Sequence, residues 1–300
     1  MYEITPTLKL FNLNPPFPGY NNFLGAYLFC GEQKAIIDVG PRAVIPGLIS
    51  KLKQLGINPE EIDYIILTHI HIDHAGGIGT AVKEMGRARV IAHKRAIPHL
   101  IDPSLLWQAS RKTLGKLALN YGEIEAVAAD RIMPATDNME LDLGGDLVLE
   151  IILTPGHAPH HLSLFDRASG ILIAGEAAGV CVNGTIRPAT PPPFKLEETM
   201  SSIDRLISLE PRKICYGHFG CYDNAHARLR AIREQLLTWY EIISREAVSG
   251  KNTQDIFTLL RDKDGNLGYL DSLSRNEYDR EYILLINSVR GIYESILKPG

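Results

Sequence analysis

The chain has 300 residues, 45% hydrophobic and 22% charged, enough apolar material for the core of one large domain, or of one domain with an appendage. A formal net charge of -4 and an isoelectric point near 6.2 argue against a polyanion-binding surface, so nucleic acid is not an expected partner. The opening Met1-Tyr2-Glu3-Ile4-Thr5-Pro6 lacks the basic flank and apolar run of a secretory leader, and no stretch approaches the ~18 apolar residues of a membrane span, so a cytoplasmic protein with no membrane partner is expected.

Short runs rich in Ile, Val and Leu predict buried strands at Tyr27 to Cys30, Ala35 to Val39, Tyr64 to Leu67, Val90 to Ala92, Leu147 to Leu153, Ile171 to Ala174 and Lys213 to Tyr216. Helical spacing falls between them, at Ala43 to Leu55, which stops at Gly56, at Gly77 to Met85 and at Leu196 to Leu209. Sheets covered by helices on their outer faces follow from that alternation. Between about residues 96 and 136, Leu105, Leu106, Trp107, Leu114, Leu117, Leu119 and Tyr121 predict a helical insertion. From about Asp223 the strand character disappears: Ala225 to Val248 and Asn276 to Leu297 are amphipathic, with a turn-like Asp264-Gly265-Asn266 and Gly268 between them. Residues 223–300 are therefore expected to form a helical C-terminal extension, serving either homodimerisation or closure of a pocket. Cys30, Cys181, Cys215 and Cys221 contain no CxxC pair, and reduced thiols are expected, although Cys215 and Cys221 flank His218.

The densest chemistry lies in Thr68-His69-Ile70-His71-Ile72-Asp73-His74-Ala75-Gly76-Gly77, directly after the apolar Tyr64 to Leu67. Where a strand gives way to a loop, His69 and His71 can face one way while Asp73 and His74 wrap round the other, so one turn can hold two metal ions. Imidazole nitrogen and carboxylate oxygen suit Zn, Fe(II) or Mn, and no cysteine within the run biases the choice toward softer metals. Three further predicted strands end in candidate ligands, each preceded by glycine: Gly156-His157, Gly175-Glu176 and Gly217-His218. Glycine lets the chain turn sharply at a sheet edge and approach the site closely. Such edges meeting at one end of a sheet sandwich would make a cage.

With these elements the chain resembles the metallo-β-lactamase superfamily, over roughly residues 1–222, and most closely its glyoxalase II-like binuclear metallohydrolases. The resemblance implies a catalytic domain built as an α/β, αββα four-layer sandwich, with the helical insertion and the helical extension added to it. Carried over by position, His69, His71 and His157 resemble the ligands of a first metal, and Asp73, His74 and His218 those of a second. Asp38, in Ile36-Ile37-Asp38-Val39-Gly40, matches an early Asp-x-Gly and would orient the ligand loop. The usual bridging aspartate is replaced by Glu176, one methylene longer, which would either bridge both metals or bind one.

Two divalent ions are thus the expected cofactors, zinc favoured over iron or manganese. A water shared between them loses its proton near neutral pH, since zinc alone brings bound water to a pKa of about 7. The bridging hydroxide would attack an ester-like bond of a small-molecule substrate, a thioester, ester or lactone, with Asp73 and His74 as catalytic candidates. Narrower activities are not inherited. Glyoxalase II proteins typically follow the last ligand histidine with Glu-Tyr, where this chain has Phe219-Gly220, and homoserine-lactone lactonases place a tyrosine at the position of Gly179. The rival reading is a di-iron oxygen-binding or redox protein on the same scaffold. His160, His161 and His93 are read as supporting or structural histidines, and Trp107, Tyr121 and Phe194 as candidates for the pocket wall.

Overall fold

Side chains alternate across a strand, and in this chain both faces of the central strands are apolar, which demands cover on each side. The computed structural model describes residues 1–297 and meets that demand with two sheets stacked between helical layers. The first sheet contains β1 (Tyr2–Thr5), β2 (Leu8–Asn12), β3 (Gly25–Cys30), β4 (Lys34–Ile37), β5 (Ile62–Ile66), β6 (Arg89–His93) and β7 (Ile132–Ala135), in that order. Pairing is antiparallel from β1 to β4 and parallel from β4 to β7. The second sheet draws on β8 (Met139–Asp142), β9 (Val148–Leu153), β10 (Leu162–Asp166) and β11 (Ile171–Gly175). A small separate hairpin follows, β12 (Val180–Val182) with β13 (Thr185–Arg187), before the chain returns to the sheet as β14 (Lys213–Tyr216) and β15 (Cys221–Asp223). The order across the second sheet is β15-β14-β11-β10-β9-β8.

Residue alternation sorts the core into three layers. Tyr27, Phe29, Ile37, Ile66 and Ile91 of the first sheet meet Ile151, Leu164, Ile173 and Cys215 of the second between the sheets. Their sequence neighbours Leu28, Ile36, Ile65 and Val90 point outward instead, and pack on α1 (Ile45–Gln54) and α3 (Ile78–Glu84). These helices are the crossovers that parallel strands require; the short α2 (Ile72–Ala75) belongs to the His-rich run. On the far side, Ile152, Leu172 and Ile214 pack with α7 (Leu196–Ser208), α8 (Ala225–Val248), α9 (Thr253–Lys263) and α10 (Arg275–Leu297). One apolar core, with Trp239 fully buried in it, therefore runs across position 222 from the second sheet into the C-terminal helices.

Two expectations change. The insertion is helical only in α4 (Ile97–Ile101), α5 (Ser104–Leu114) and α6 (Lys116–Tyr121), and its end, expected to be part of the same helical segment, forms the edge strand β7. Pro134 hides that strand in the sequence, yet an edge strand tolerates a missing N–H. The C-terminal region holds a further helix, α9, whose three buried apolar residues Ile256, Phe257 and Leu260 give a weak pattern and whose start is capped by Asn252. No helix among the described residues is long and apolar enough to cross a membrane.

The C-terminal layer is tied to the small hairpin by a buried ion cluster. Arg187 Nε donates to Glu281 Oε2 at 2.7 Å, Tyr269 donates to the same oxygen at 2.7 Å, and Arg280 Nε donates to Oε1 at 3.2 Å. Burial pushes the Glu281 carboxyl up, but the Arg187 guanidinium outweighs it and holds the group below the usual range. Glu281→Ala leaves two guanidinium groups enclosed without their carboxylate, and a loss of about 3–5 kcal/mol is expected. Urea denaturation at neutral pH measures it; a loss below ~1 kcal/mol would show that the cluster does not hold this layer.

Candidate metal centre

The candidate ligands converge because of strand direction. β4 and β5 are parallel, as are β11 and β14, and β9 runs with β11 because each is antiparallel to β10. Asp38, the His69 to His74 run, His157, Glu176 and His218 all follow the C-terminal ends of these strands. Two groups result. His69, His71, His157 and Glu176 offer ligand atoms within 4.8 Å of one another, and so do Asp73, His74 and His218. Every residue expected to bind metal is in one of them.

Glu176 belongs to both neighbourhoods. Its Oε2 lies 2.9 Å from His157 Nε2, 3.3 Å from His69 Nε2 and 3.5 Å from His74 Nε2, while Oε1 lies 3.2 Å from His218 Nε2. The carboxylate thus stands between the two groups and reaches both. Glycine makes that approach feasible at two places. A Cβ on Gly175, whose φ is +57°, would stand 2.6 Å from His161 Nε2, and one on Gly217 would stand 2.8 Å from His74 Cε1.

Hydrogen bonds on the outer faces of the rings decide which nitrogens look inward. The Asp38 carboxylate accepts from Thr68 N–H at 2.8 Å, from the Thr68 hydroxyl at 2.7 Å and from His74 Nδ1–H at 2.9 Å. Having given its proton to Asp38, Thr68 Oγ1 accepts from His69 Nδ1–H at 3.1 Å. His157 Nδ1–H donates to the Ala189 carbonyl at 3.0 Å. His69 and His157 therefore turn an Nε2 lone pair toward the site, and His74 turns its Nε2 there as well, to be freed of its proton when a metal binds. Nε2 of His69 and of His74 are buried and make no hydrogen bond, although Glu176 Oε2 lies 3.3 Å from the first and 3.5 Å from the second. Inward lone pairs with a carboxylate among them are a donor set that fits divalent cations of the zinc, iron or manganese type.

Burial pushes His69 well below its usual pKa, with the His74 ring adding to the effect, and takes His71 down to about 4, with His157 next in importance. Both are thereby kept neutral, as a ligand must be. Burial also acts against the charged form of His74, but Asp73, Asp38 and Glu176 outweigh it and raise that group. For Glu176 burial raises and the His157 and His218 rings lower, leaving the carboxyl well below its normal range.

His161 has a more definite role than a supporting histidine implies. Ser163 Oγ donates to the Ala174 carbonyl at 3.2 Å, so it accepts from Thr154 at 2.9 Å, which in turn accepts from His161 Nδ1–H at 2.8 Å. His161 Nε2 is left to accept the Glu176 backbone N–H at 3.1 Å, fixing the turn that carries the carboxylate. His160 lies beside His71, ring centroids 6.1 Å apart, and His93 accepts from the Arg95 N–H as a structural residue. Of the expected wall, Tyr121 packs on Phe17 and Tyr20, and Trp107 packs against the same core. Phe194 instead lies in the apolar core beyond the second sheet. Sequence reasoning missed Phe23, whose ring centroid is 4.4 Å from that of His218, and Arg280, whose guanidinium lies 3.7 Å from the Phe23 centroid. Neither sits in a metal-ligand pattern; Thr68, whose role was also missed, could have been found from its place directly before His69.

Residues 26–218 match the model of the metallo-beta-lactamase superfamily, and the chain belongs to that superfamily. Among particular relatives, it is 33% identical to the metallo-beta-lactamase fold-containing protein ST1585 of Sulfurisphaera tokodaii over 199 residues, 65% of this chain and 72% of that protein. The crystal structure of ST1585 superposes with a TM-score of 0.74 at 26% identity, covering 96% and 99% of the two chains. The family protein TTHA1429 from Thermus thermophilus gives 0.71 at 22% identity over 99% and 95%. The N-acyl homoserine lactonase AttM of Rhizobium radiobacter is 30% identical over 125 residues, only 40% of this chain and 42% of the lactonase.

Two expectations follow for the site. Asp38→Ala removes the anchor of His74 and, through Thr68, of His69, and should weaken zinc binding roughly 10–100-fold by competition with a chromogenic chelator. His69, His71, His160 and His161 all have depressed folded pKa values, so the unfolded chain binds their protons first as pH falls. The depressed carboxyls of Glu176 and Glu281 add to the loss only lower down, as pH falls through the ordinary carboxylate range, and His74, whose folded pKa is raised, opposes. The denaturation midpoint of metal-stripped protein should therefore fall between about pH 7 and pH 5.

Proposed function

We propose that the protein is a binuclear metal-dependent hydrolase that cleaves an ester-like bond, a thioester, ester or lactone, of a small molecule. The observation that carries this reading is the placement of the Glu176 carboxylate between two donor groups, Oε2 beside His157, His69 and His74 and Oε1 beside His218. Divalent cations bound there supply an acidified water and a polarised substrate carbonyl.

The chain's own residues prepare the reaction. His69, His71 and His157 form the neutral three-imidazole group, and Asp73, His74 and His218 the group with an acid. Asp38 and Thr68 hold the rings in the tautomers that face inward. Asp73 keeps partial solvent access, with Oδ2 3.7 Å from His218 Nε2, and is the carboxylate proposed to orient the attacking water and, as general base, take its proton. Phe23, Tyr20 and Tyr121 are apolar cover that limits water on the His218 side.

The likeness to AttM, named a lactonase, supports ester-type chemistry, while Gly179 at the lactonase tyrosine position speaks against the same substrate. A di-iron oxygen-binding or redox protein is the second reading, and the oxygen donors of Glu176 are the observation on its side. Metal quantification paired with a screen of thioesters, lactones and aryl phosphoesters separates the two. Hydrolysis lost on chelation and restored by zinc is the expected result; equal rates in stripped and reloaded protein would falsify it. A visible band that appears only when iron-loaded protein meets oxygen, with no hydrolysis, would establish the second reading instead. Glu176→Gln keeps the length of the side chain but removes its charge, and should lower metal affinity by at least the roughly 10–100-fold that losing a supporting partner costs.

A further inference from the structure

One pair of side chains beside the site has chemistry that hydrolysis does not use. Cys215 on β14 and Cys221 on β15 are direct partners in the antiparallel register, and the hairpin between them carries His218. Tyr216 N–H donates to the Gly220 carbonyl at 3.0 Å, which makes residues 216 and 220 a hydrogen-bonded pair. Residues 215 and 221, one step further from the turn, are therefore a non-hydrogen-bonded pair. In such pairs the Cα atoms are about 4.5 Å apart and the side chains stand close together on one face. Disulfides span Cα separations of about 4.4–6.8 Å, so the sulfurs can be joined with little backbone movement.

Access differs in a useful way. Cys215 is fully buried between the sheets, whereas Cys221 at the sheet edge is partly open, and both are free thiols. The neighbouring Cys215 thiol lowers the pKa of Cys221, and burial raises that of Cys215 well above its ordinary value. The outer sulfur is thus the better nucleophile, and the inner one resolves it by position, standing directly across the strand pair. The Tyr27 hydroxyl already clamps the same hairpin at its mouth, lying 2.7 Å from the Tyr216 carbonyl and 2.9 Å from that of Gly220.

We propose that Cys215 and Cys221 form a reversible disulfide that staples the hairpin presenting His218. With a hydroperoxide as oxidant, Cys221 sulfur attacks the peroxide, the O–O bond breaks, and a sulfenic acid forms with release of water or alcohol. Cys215 sulfur then attacks the sulfenic sulfur, the S–S bond forms, and the S–O bond breaks with loss of water. Two thiols are oxidised by two electrons in all, and the peroxide is reduced. A small external thiol reverses the bond by attack at Cys221, the sulfur with access to solvent.

The test treats the intact, metal-loaded protein with hydrogen peroxide and then blocks remaining thiols with a maleimide under denaturing conditions. Expected are a mass lower by two hydrogen atoms, two fewer labelled thiols, a linked peptide pair containing Cys215 and Cys221, and recovery with dithiothreitol. Hydrogen exchange at amides 217–220 should slow roughly tenfold in the oxidised form, because the staple restricts local opening. C221S should retain its fold and show neither the mass loss nor the slower exchange. Four labelled thiols after oxidation, a link from either residue to Cys181 or Cys30, or Cys221 oxidised alone to a sulfinic acid would each overturn the proposal. Peptide mapping of the unmutated protein decides the matter even if C221S folds poorly.

Discussion

The centre depends on holding several imidazole lone pairs and a carboxylate face to face in a buried space, an arrangement that repels itself unless every ring is fixed from behind. Asp38 does most of that fixing. Its carboxylate takes His74 directly and His69 through the Thr68 hydroxyl, and it does so from a left-handed backbone conformation, φ +57°, that aspartate tolerates better than most residues. The Ala189 carbonyl performs the same service for His157, and the proton chain from His161 through Thr154 and Ser163 to Ala174 performs it for the turn at Glu176. Specific protonation states are thereby written into the scaffold by groups that can only accept.

The layered fold makes such control possible. Strands buried on both faces have little freedom to slide, since a one-residue slip would exchange the side chains of the inner and outer cores. The ends of β4, β5, β9, β11 and β14 are therefore fixed relative to one another, and loops of a few residues are enough to reach the site. Rigid strands with short reactive turns are the arrangement in which positioning is most accurate.

The sequence disclosed the ligands more completely than the fold around them. Each ligand follows an apolar run, and three follow a glycine, so local pattern and chemistry coincide at those positions. Elements without such a marker were harder to read. β7 carries Pro134, β1 is an edge strand with little buried surface, β2 holds only a short apolar run, and α9 buries only three apolar side chains. Phe23 and Arg280 are over 250 residues apart in sequence, and nothing periodic in the chain marks that the one stacks on the other. Phe194 shows the opposite failure: an aromatic beside a stiff proline segment suggested a cleft, whereas the outer core simply needed its volume.

Arg280 lies on the last helix, bonded to Glu281 and stacked on the phenyl ring that covers His218. The carboxyl-terminal helix is thus a buttress of the reactive centre as well as a cover for the distant sheet. Sequence drift in this region, far from any ligand, can retune one imidazole through a single intervening ring, giving relatives with the same donor atoms a means to diverge in reactivity.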